Sequence, residues 1–323
     1  MPHVFICSLL VLAFATNSFA QSPAAPWPDR PIRFIVPLPA GAAADVVARL
    51  IGRRLSERLG QPIIVENRAG ASGISGSEAI AKAQDTHTLG IATSSTHVTA
   101  PILNSALGYD PLKDFTHVAL IGVSPYVLVV NTNVPARDVP ALIALAKSKP
   151  RTLTYSSTGP ASMAHLAAEL FSVRAGVELV HVPYKSSTHA VLDLLEGRID
   201  MQFGILATSL SYIREGKLRA LGVMTDKRAP EIPDVPTFAE YGMNANDTSL
   251  WLAVVMPPRI PPKLVARLNA EINEIIQSPE VKNVLETQAI ALAPGSPEDL
   301  RRRIEREIEL WRPLAARAQV TER

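Results

Sequence analysis

Ser157, His165 and Asp200 carry the side chains of a nucleophile, a base and an orienting acid, and acyl transfer is the chemistry such a set performs. Their local contexts argue against it. Ser157 lies in the stretch Tyr155-Ser156-Ser157-Thr158-Gly159, which is not the G-x-S-x-G elbow that exposes a nucleophilic serine. His165 falls early in a helix whose other side is apolar, a place for capping or support rather than for a base. His181 and His189 are eight residues apart, with no i,i+4 pairing on a helix, so the spacing supports no metal site. Gly70, Gly73 and Gly76 match neither G-x-G-x-x-G nor G-x-x-x-x-G-K, and a tight turn reads better there than a nucleotide site. No cofactor is implied.

Two turns of small residues offer a different chemistry. Pro39-Ala40-Gly41-Ala42-Ala43-Ala44 has no polar side-chain atom. Any polar contact it makes must come from the main chain, and a helix start after it would present unpaired N–H groups and the positive end of the helix dipole. That combination suits an anion; an ordinary strand-to-helix turn without a ligand is the alternative. The second turn, Ser157-Thr158-Gly159-Pro160-Ala161-Ser162, has hydroxyls suited to hydrogen-bonding a ligand. Asp45, just after the first turn, is favourable in a first helical turn by itself, or meets an amino group of a solute.

The elements around the turns follow from periodicity. Ile32–Val36 is a short β-branched run bounded by prolines and reads as a buried strand. Val47, Leu50, Ile51, Leu55 and Leu59 recur at helical spacing. Strands follow at 62–66, 88–92, 118–123, 126–131, 152–156, 179–182, 199–203, 218–224 and 251–256, with a break expected at Ser124-Pro125. Thr93–His97 is expected to be a polar loop. Helices are expected at 77–84, 140–148, after Ser162, at 189–196 and 209–215, and three more close the chain, the last capped by Ser296-Pro297-Glu298. Arg301, Arg302 and Arg303 read as a solvated basic run on that last helix. Strands alternating with helices imply a mainly parallel α/β architecture in two lobes, with ligands at the carboxyl ends of strands. Both turns lie at such ends.

The chain has 323 residues, 47% hydrophobic, with a net charge of +2, ample for two domains and without the basic surplus that would suggest nucleic acid. Val4–Ala15 is an apolar run of signal-peptide length, and Ser18-Phe19-Ala20 supplies small residues for cleavage after Ala20. The one cysteine, Cys7, lies in that segment, so the exported chain would have neither disulfides nor thiol chemistry. The expected organisation is a signal peptide at 1–20, a linker at 21–30, lobe 1 at 31–124, lobe 2 at 125–226, and a return through 227–323 to lobe 1.

PIRFIVPLPAG…AD at 31–45, QPIIVENRAGASG at 61–73, YDPLKDF at 109–115, YSSTG…S..HLAAELF at 155–171, HVPYK at 181–185, GKLRALGV at 216–223 and PDVPTFAE at 233–240 occur in one order. In this the chain resembles the solute receptors of tripartite tricarboxylate transporters, the Bug receptor family, over nearly the whole mature length. The resemblance implies a type II periplasmic binding-protein fold, two α/β lobes with a ligand cleft between them, a carboxylate-bearing solute and a membrane permease partner. It implies that main-chain N–H groups and waters at the first turn hold the carboxylate. Carried over, the contacts are Pro39, Ala40, Gly41, Ala42, Ala43, Ala44 and Asp45, faced by Ser157, Gly159, Ser162 and His165. Ser94, Thr96 and Asp200 complete the candidate set. The chain departs from the family pattern at Ala42, Ala44, Ala161, Ser186 and His189. These departures leave backbone capture intact but not the identity of the ligand.

The expected function is thus periplasmic capture of a carboxylate-bearing solute by a monomer that closes its lobes and delivers it to the permease. A ligand sensor signalling to a membrane kinase is the alternative, and an enzyme on the same fold the more distant one.

Overall fold

The computed structural model describes residues 27–159, 162–184, 187–225, 227–243 and 248–317. The signal segment with Cys7 and its cleavage site, and Pro160, Ala161 and Ser186 of the candidate loops, lie outside the described residues. The elements in chain order are β1 (Ile32–Val36), α1 (Ala43–Leu59), β2 (Ile63–Asn67), α2 (Ile74–Ala81), β3 (Thr88–Thr93), α3 (Ala100–Leu103), β4 (Thr116–Asn131) and α4 (Val139–Ser148). Then come β5 (Thr154–Ser157), α5 (Met163–Ala175), β6 (Val180–Pro183), α6 (Ser187–Leu195), β7 (Met201–Ile205), α7 (Leu206–Arg214) and β8 (Leu218–Val223). The chain ends with β9 (Ser249–Met256), α8 (Pro262–Gln277), α9 (Pro279–Thr287), β10 (Ala291–Leu292) and α10 (Pro297–Arg317).

The strands run β2-β1-β3-β9-β4-β7-β5-β6, with β8 and β10 also on β4. At one end β2, β1 and β3 are parallel. At the other, β6, β5 and β7 are parallel in the same manner. Between them β9 and β4 run antiparallel to their neighbours. The architecture is therefore mixed rather than mainly parallel: the two repeated parallel units are joined through β9 and the long β4, and β4 passes from one to the other.

β4 replaces the expected pair of strands. It runs unbroken for 16 residues, about 50 Å at the usual rise. Its first part pairs with β9, and from Tyr126 on it pairs with β7 and β8. Pro125 lies where the partners change, so its missing N–H removes no bond from a continuous ladder. The break expected from sequence is a handover.

Each helix covers the strands through an apolar side. In α1, Val47, Ala48, Ile51 and Leu55 are fully buried, against Ile32, Phe34 and Val36 of β1. Val47, Ile51 and Leu55 each contribute about 1.5–3 kcal/mol on burial. α1 ends at Gly60, whose φ of 71° closes the helix in the left-handed conformation. α8 and α9 pack against α1.

α10 is the other long tie. It packs on β4, on α3 and on α5, reaching both halves of the sheet. Its Arg303 is not solvated, contrary to expectation. The Arg303 guanidinium contacts the Glu307 carboxylate at 2.7 Å and donates to Ser249 Oγ at 2.8 Å. Glu307 in turn accepts from the indole of fully buried Trp251 at 2.8 Å. Arg301 donates to Leu112 O and Arg302 to Asp299. A run of three arginines spans more than one side of a helix, so one of them had to turn inward.

The helix expected at 77–84 occupies Ile74–Ala81, and β10 had no legible signal in its two residues. The end of the expected linker is docked: Trp27 donates to Thr86 O at 3.1 Å and lies under Arg267.

Candidate functional site

The first turn leaves β1 at Val36 and enters α1 at Ala43. Pro39, Ala40 and Gly41 are exposed, Ala42 and Ala43 half-buried, and Ala44 and Asp45 buried. Gly41 has φ 83°, the left-handed conformation that suits glycine, and a side chain added there would point into open space. The helix N-cap is Ala42, which offers no side-chain acceptor. Asp45 does that work instead. Its carboxylate accepts from Gly41 N at 2.9 Å, from Asn67 Nδ2 at 2.9 Å and from Arg49 Nε at 3.1 Å. Burial, the largest single influence, pushes the Asp45 carboxyl up. The bonds from Arg49, Gly41 and Asn67 together outweigh it and hold the group below the usual carboxylate range.

This divides the turn into two sets of N–H groups. Those of Gly41 and Ala42 are engaged inside the turn, the second with Pro39 O at 3.3 Å. The N–H groups of Ala43 and Ala44 open the helix and have no intrahelical acceptor. The arrangement can hold an anion through the main chain, with Asp45 serving as the brace behind it. Both oxygens of Asp45 are already in use, which favours its supporting role over contact with a solute amine.

The second turn leaves β5 at Ser157 and enters α5 at Met163. Ser162 is the N-cap, its Oγ accepting from His165 N at 3.3 Å and donating to Gly159 O at 2.9 Å. Ser157 is fully buried. Its Oγ accepts from Gly159 N at 3.0 Å and lies 2.9 Å from Gly159 O and 2.7 Å from His181 Nε2. Gly159 has φ 113°. The hydroxyls expected to face a ligand are therefore tied within the turn, and, as in the first turn, the helix's first N–H groups are those left over.

Ser157, His165 and Asp200 are not brought together as a triad. Asp200 precedes β7 and accepts from Thr154 N and Thr154 Oγ1 at 2.7 and 2.8 Å. Thr154 is the first residue of β5 and Ser157 the last, so Asp200 and Ser157 sit at opposite ends of that strand. The His165 ring stacks on His181 with centroids 4.1 Å apart.

Ser94 and Thr96 follow β3, at the same strand ends as the first turn, but not in a loop. Residues Ser95–Thr99 form a π-helical turn that runs into α3. Thr96 Oγ1 bonds to Thr93 and to His97 Nδ1, the latter at 3.0 Å. His97 is fully buried against Phe115 and Trp251, and burial drives its imidazole down to about 3. This aromatic surround draws the segment inward. Ser94 Oγ is buried with no partner among the described residues.

Sequence reasoning missed Asn67, Arg49, His181, Tyr155 and Glu169 as parts of this machinery. Arg49 was legible as the i,i+4 partner of Asp45. The others depend on strand register. No cluster of metal-ligating side chains occurs among the described residues, and no described helix is long and apolar enough to cross a membrane.

Residues 47–319 match the family described as tripartite tricarboxylate transporter family receptor. The chain is 38% identical to BugT of Bordetella pertussis over 287 residues, 88% of each chain. The structure of R. palustris Rpa4515 with adipate superposes with a TM-score of 0.80 at 36% identity, over 91% of this chain and 99% of that one. MatC from Rhodopseudomonas palustris with bound malate superposes with a TM-score of 0.76 at 30% identity, over 89% and 99% respectively.

Proposed function

This chain belongs to the tripartite tricarboxylate transporter receptor family, and from that premise we propose that it captures a small carboxylate-bearing solute in the periplasm by closing its lobes and delivers it to the membrane permease of a tripartite transporter. The fold is the two-lobed α/β fold of periplasmic solute-binding proteins, and the protein is a binding receptor rather than an enzyme. The observation that carries the proposal is the exposed first turn. It has no polar side chain, its N–H groups open a helix of 17 residues, and an ion-paired aspartate braces it from behind.

The energetics suit a transport receptor. A hydrogen bond from an N–H to a charged acceptor is worth about 1.5–3 kcal/mol. The helix dipole adds about 0.3–1 kcal/mol. Two or three such bonds, less the cost of ordering the solute and closing the lobes, correspond to micromolar binding, about −8 kcal/mol. Adipate in Rpa4515 and malate in MatC support a dicarboxylate here. In our reading lobe 1 is 31–124 with 227–323 and lobe 2 is 125–226. The partner change of β4 at Pro125–Tyr126 supports a crossing there.

A thermal-shift screen with adipate, malate, succinate and citrate tests the proposal, since a ligand of the folded state raises the melting temperature. At least one of them should raise it by several degrees, and Gly41→Leu, which fills the approach, should abolish the shift. No shift with any of them, or an undiminished shift in folded Gly41→Leu protein, sinks it.

A further inference from the structure

Behind the second turn lies a stack of three rings that the binding proposal does not use. Tyr155 of β5 is fully buried and donates to Glu169 Oε1 on α5 at 2.7 Å. The His181 ring of β6 lies against Tyr155, with centroids 5.0 Å apart and planes 19° apart. The His165 ring of α5 lies on His181 at 4.1 Å, with planes 9° apart. The order is fixed by the sheet: Tyr155 and His181 are register partners on β5 and β6, so their side chains leave the same face. Ser157, two residues beyond Tyr155, points to that face too.

The ring edge of His181 meets Ser157 Oγ at 2.7 Å. The direction of this bond depends on the tautomer of the ring. Ser157 Oγ accepts from Gly159 N, and Ser157 has one proton, for which Gly159 O lies 2.9 Å away. If His181 carries its proton on Nε2, it donates to Oγ, and the Ser157 hydroxyl joins the Ser162 hydroxyl as a second donor to Gly159 O, filling both lone pairs of that carbonyl. The opposite tautomer takes the hydroxyl proton and leaves Gly159 O with the Ser162 donor alone.

We propose that His181, as a neutral Nε2–H donor clamped between Tyr155 and His165, is the positioning residue that holds Ser157 and Gly159 in the shape the second lobe offers to the solute. The consequence for binding rests on the receptor reading above; the positioning itself does not. Among the described residues, the titratable groups facing His181 are Tyr155 from β5 and His165 and Glu169 from α5, while Asp193 on α6 is turned to Tyr184 and Arg198. Burial, with His165 beside it, lowers the His181 imidazole to about 4, and Glu169 only partly opposes this. The ring is thus neutral at neutral pH, as the stack requires.

Nuclear magnetic resonance of the nitrogen-15-labelled mature chain tests this without ligand. At pH 7 the His181 ring should show the Nε2–H tautomer, and exchange of the Gly159 amide should quicken about tenfold in His181→Ala and in Ser157→Ala. His181→Gln, which keeps an N–H near the same place, should restore most of the protection. The double variant should exchange no faster than either single one. An Nδ1–H tautomer, unchanged Gly159 exchange in His181→Ala, or a Gln variant as impaired as the Ala variant overturns the proposal. Calorimetry with adipate supplies the functional arm: His181→Ala should bind about tenfold more weakly and His181→Gln nearly as well as the parent. Equal affinity in His181→Ala refutes the role in binding. A parent that binds none of the screened carboxylates counts against the receptor reading, and the amide exchange still decides the role of His181.

Discussion

The turn after β1 and the turn after β5 do the same geometric job with opposite chemistry. Each joins the carboxyl end of a parallel strand to a helix, and each contains a glycine at positive φ. The first has no hydroxyl and is braced by a charge, Asp45, reaching back from the third residue of its helix. The second is braced by neutral groups, the cap Ser162 and the pair Ser157–His181. In both turns the first N–H groups of the helix are left without an acceptor inside it, while the brace behind them differs. That brace is ionic in the first turn and neutral in the second, and the ionic one has its charge balanced. For Asp45 the balance comes from Arg49, with a further bond from Asn67.

If the charged brace matters most, Asp45→Ala should have the largest effect. It leaves the Gly41 N–H without its acceptor and the Asn67 amide with Leu38 O alone, and it removes the partner of Arg49, so the loss should be about 3 kcal/mol. Scanning calorimetry should register it as a drop of roughly 6–12 °C. A drop within a degree would mean that the turn holds itself.

Acid should separate the two braces. The His181 imidazole is lowered from 6.5 to about 4, so the unfolded chain binds its proton first. Its contribution is full above pH 6.5 and is lost as pH falls toward 4. Asp45 is held below the usual carboxylate range, so its contribution persists above about 3.8 and is lost only at lower pH. Between pH 6.5 and 4 the parent should therefore lose more stability than His181→Gln does, by about 2 kcal/mol once the partial exposure of the ring is discounted. Parallel melting curves of the two proteins across that range would disprove the order.

Gly41→Ala tests backbone strain alone, since nothing lies within 4 Å of the added atom. The left-handed conformation should cost about 1–2 kcal/mol, seen as a lower urea midpoint at unchanged slope. The smallest effect should be Ser162→Ala, about 1 kcal/mol for a lost N-cap. A Ser162→Ala loss larger than that of Asp45→Ala would reverse the comparison.

Much of this was legible in the chain itself. β1 and α1 follow from a short β-branched run and a 3.6-residue apolar period, which depend only on near neighbours. So do the cap at Ser296, where Ser296 and Asp299 bond reciprocally at 2.9 and 3.1 Å, and the turn of small residues between β1 and α1. The repeated motifs carried the family, because their order survives without any knowledge of contacts. What only the tertiary structure decided is who stands behind whom. His181 reaches Ser157 because β6 pairs with β5 in one register out of several, and a shift by one residue would turn it to the other face. Asn67 meets Asp45 because β2 runs beside β1. Pro125 can stay inside β4 because that strand changes partners there, and Arg303 turns inward because Ser249 of β9 and Glu307 lie within its reach. Local sterics and side-chain period act within a few residues and are written in the sequence. Register and burial are set by the pairing of segments far apart in sequence, from Asp45 with Asn67 to β3 with β9, and only the folded chain selects among those pairings.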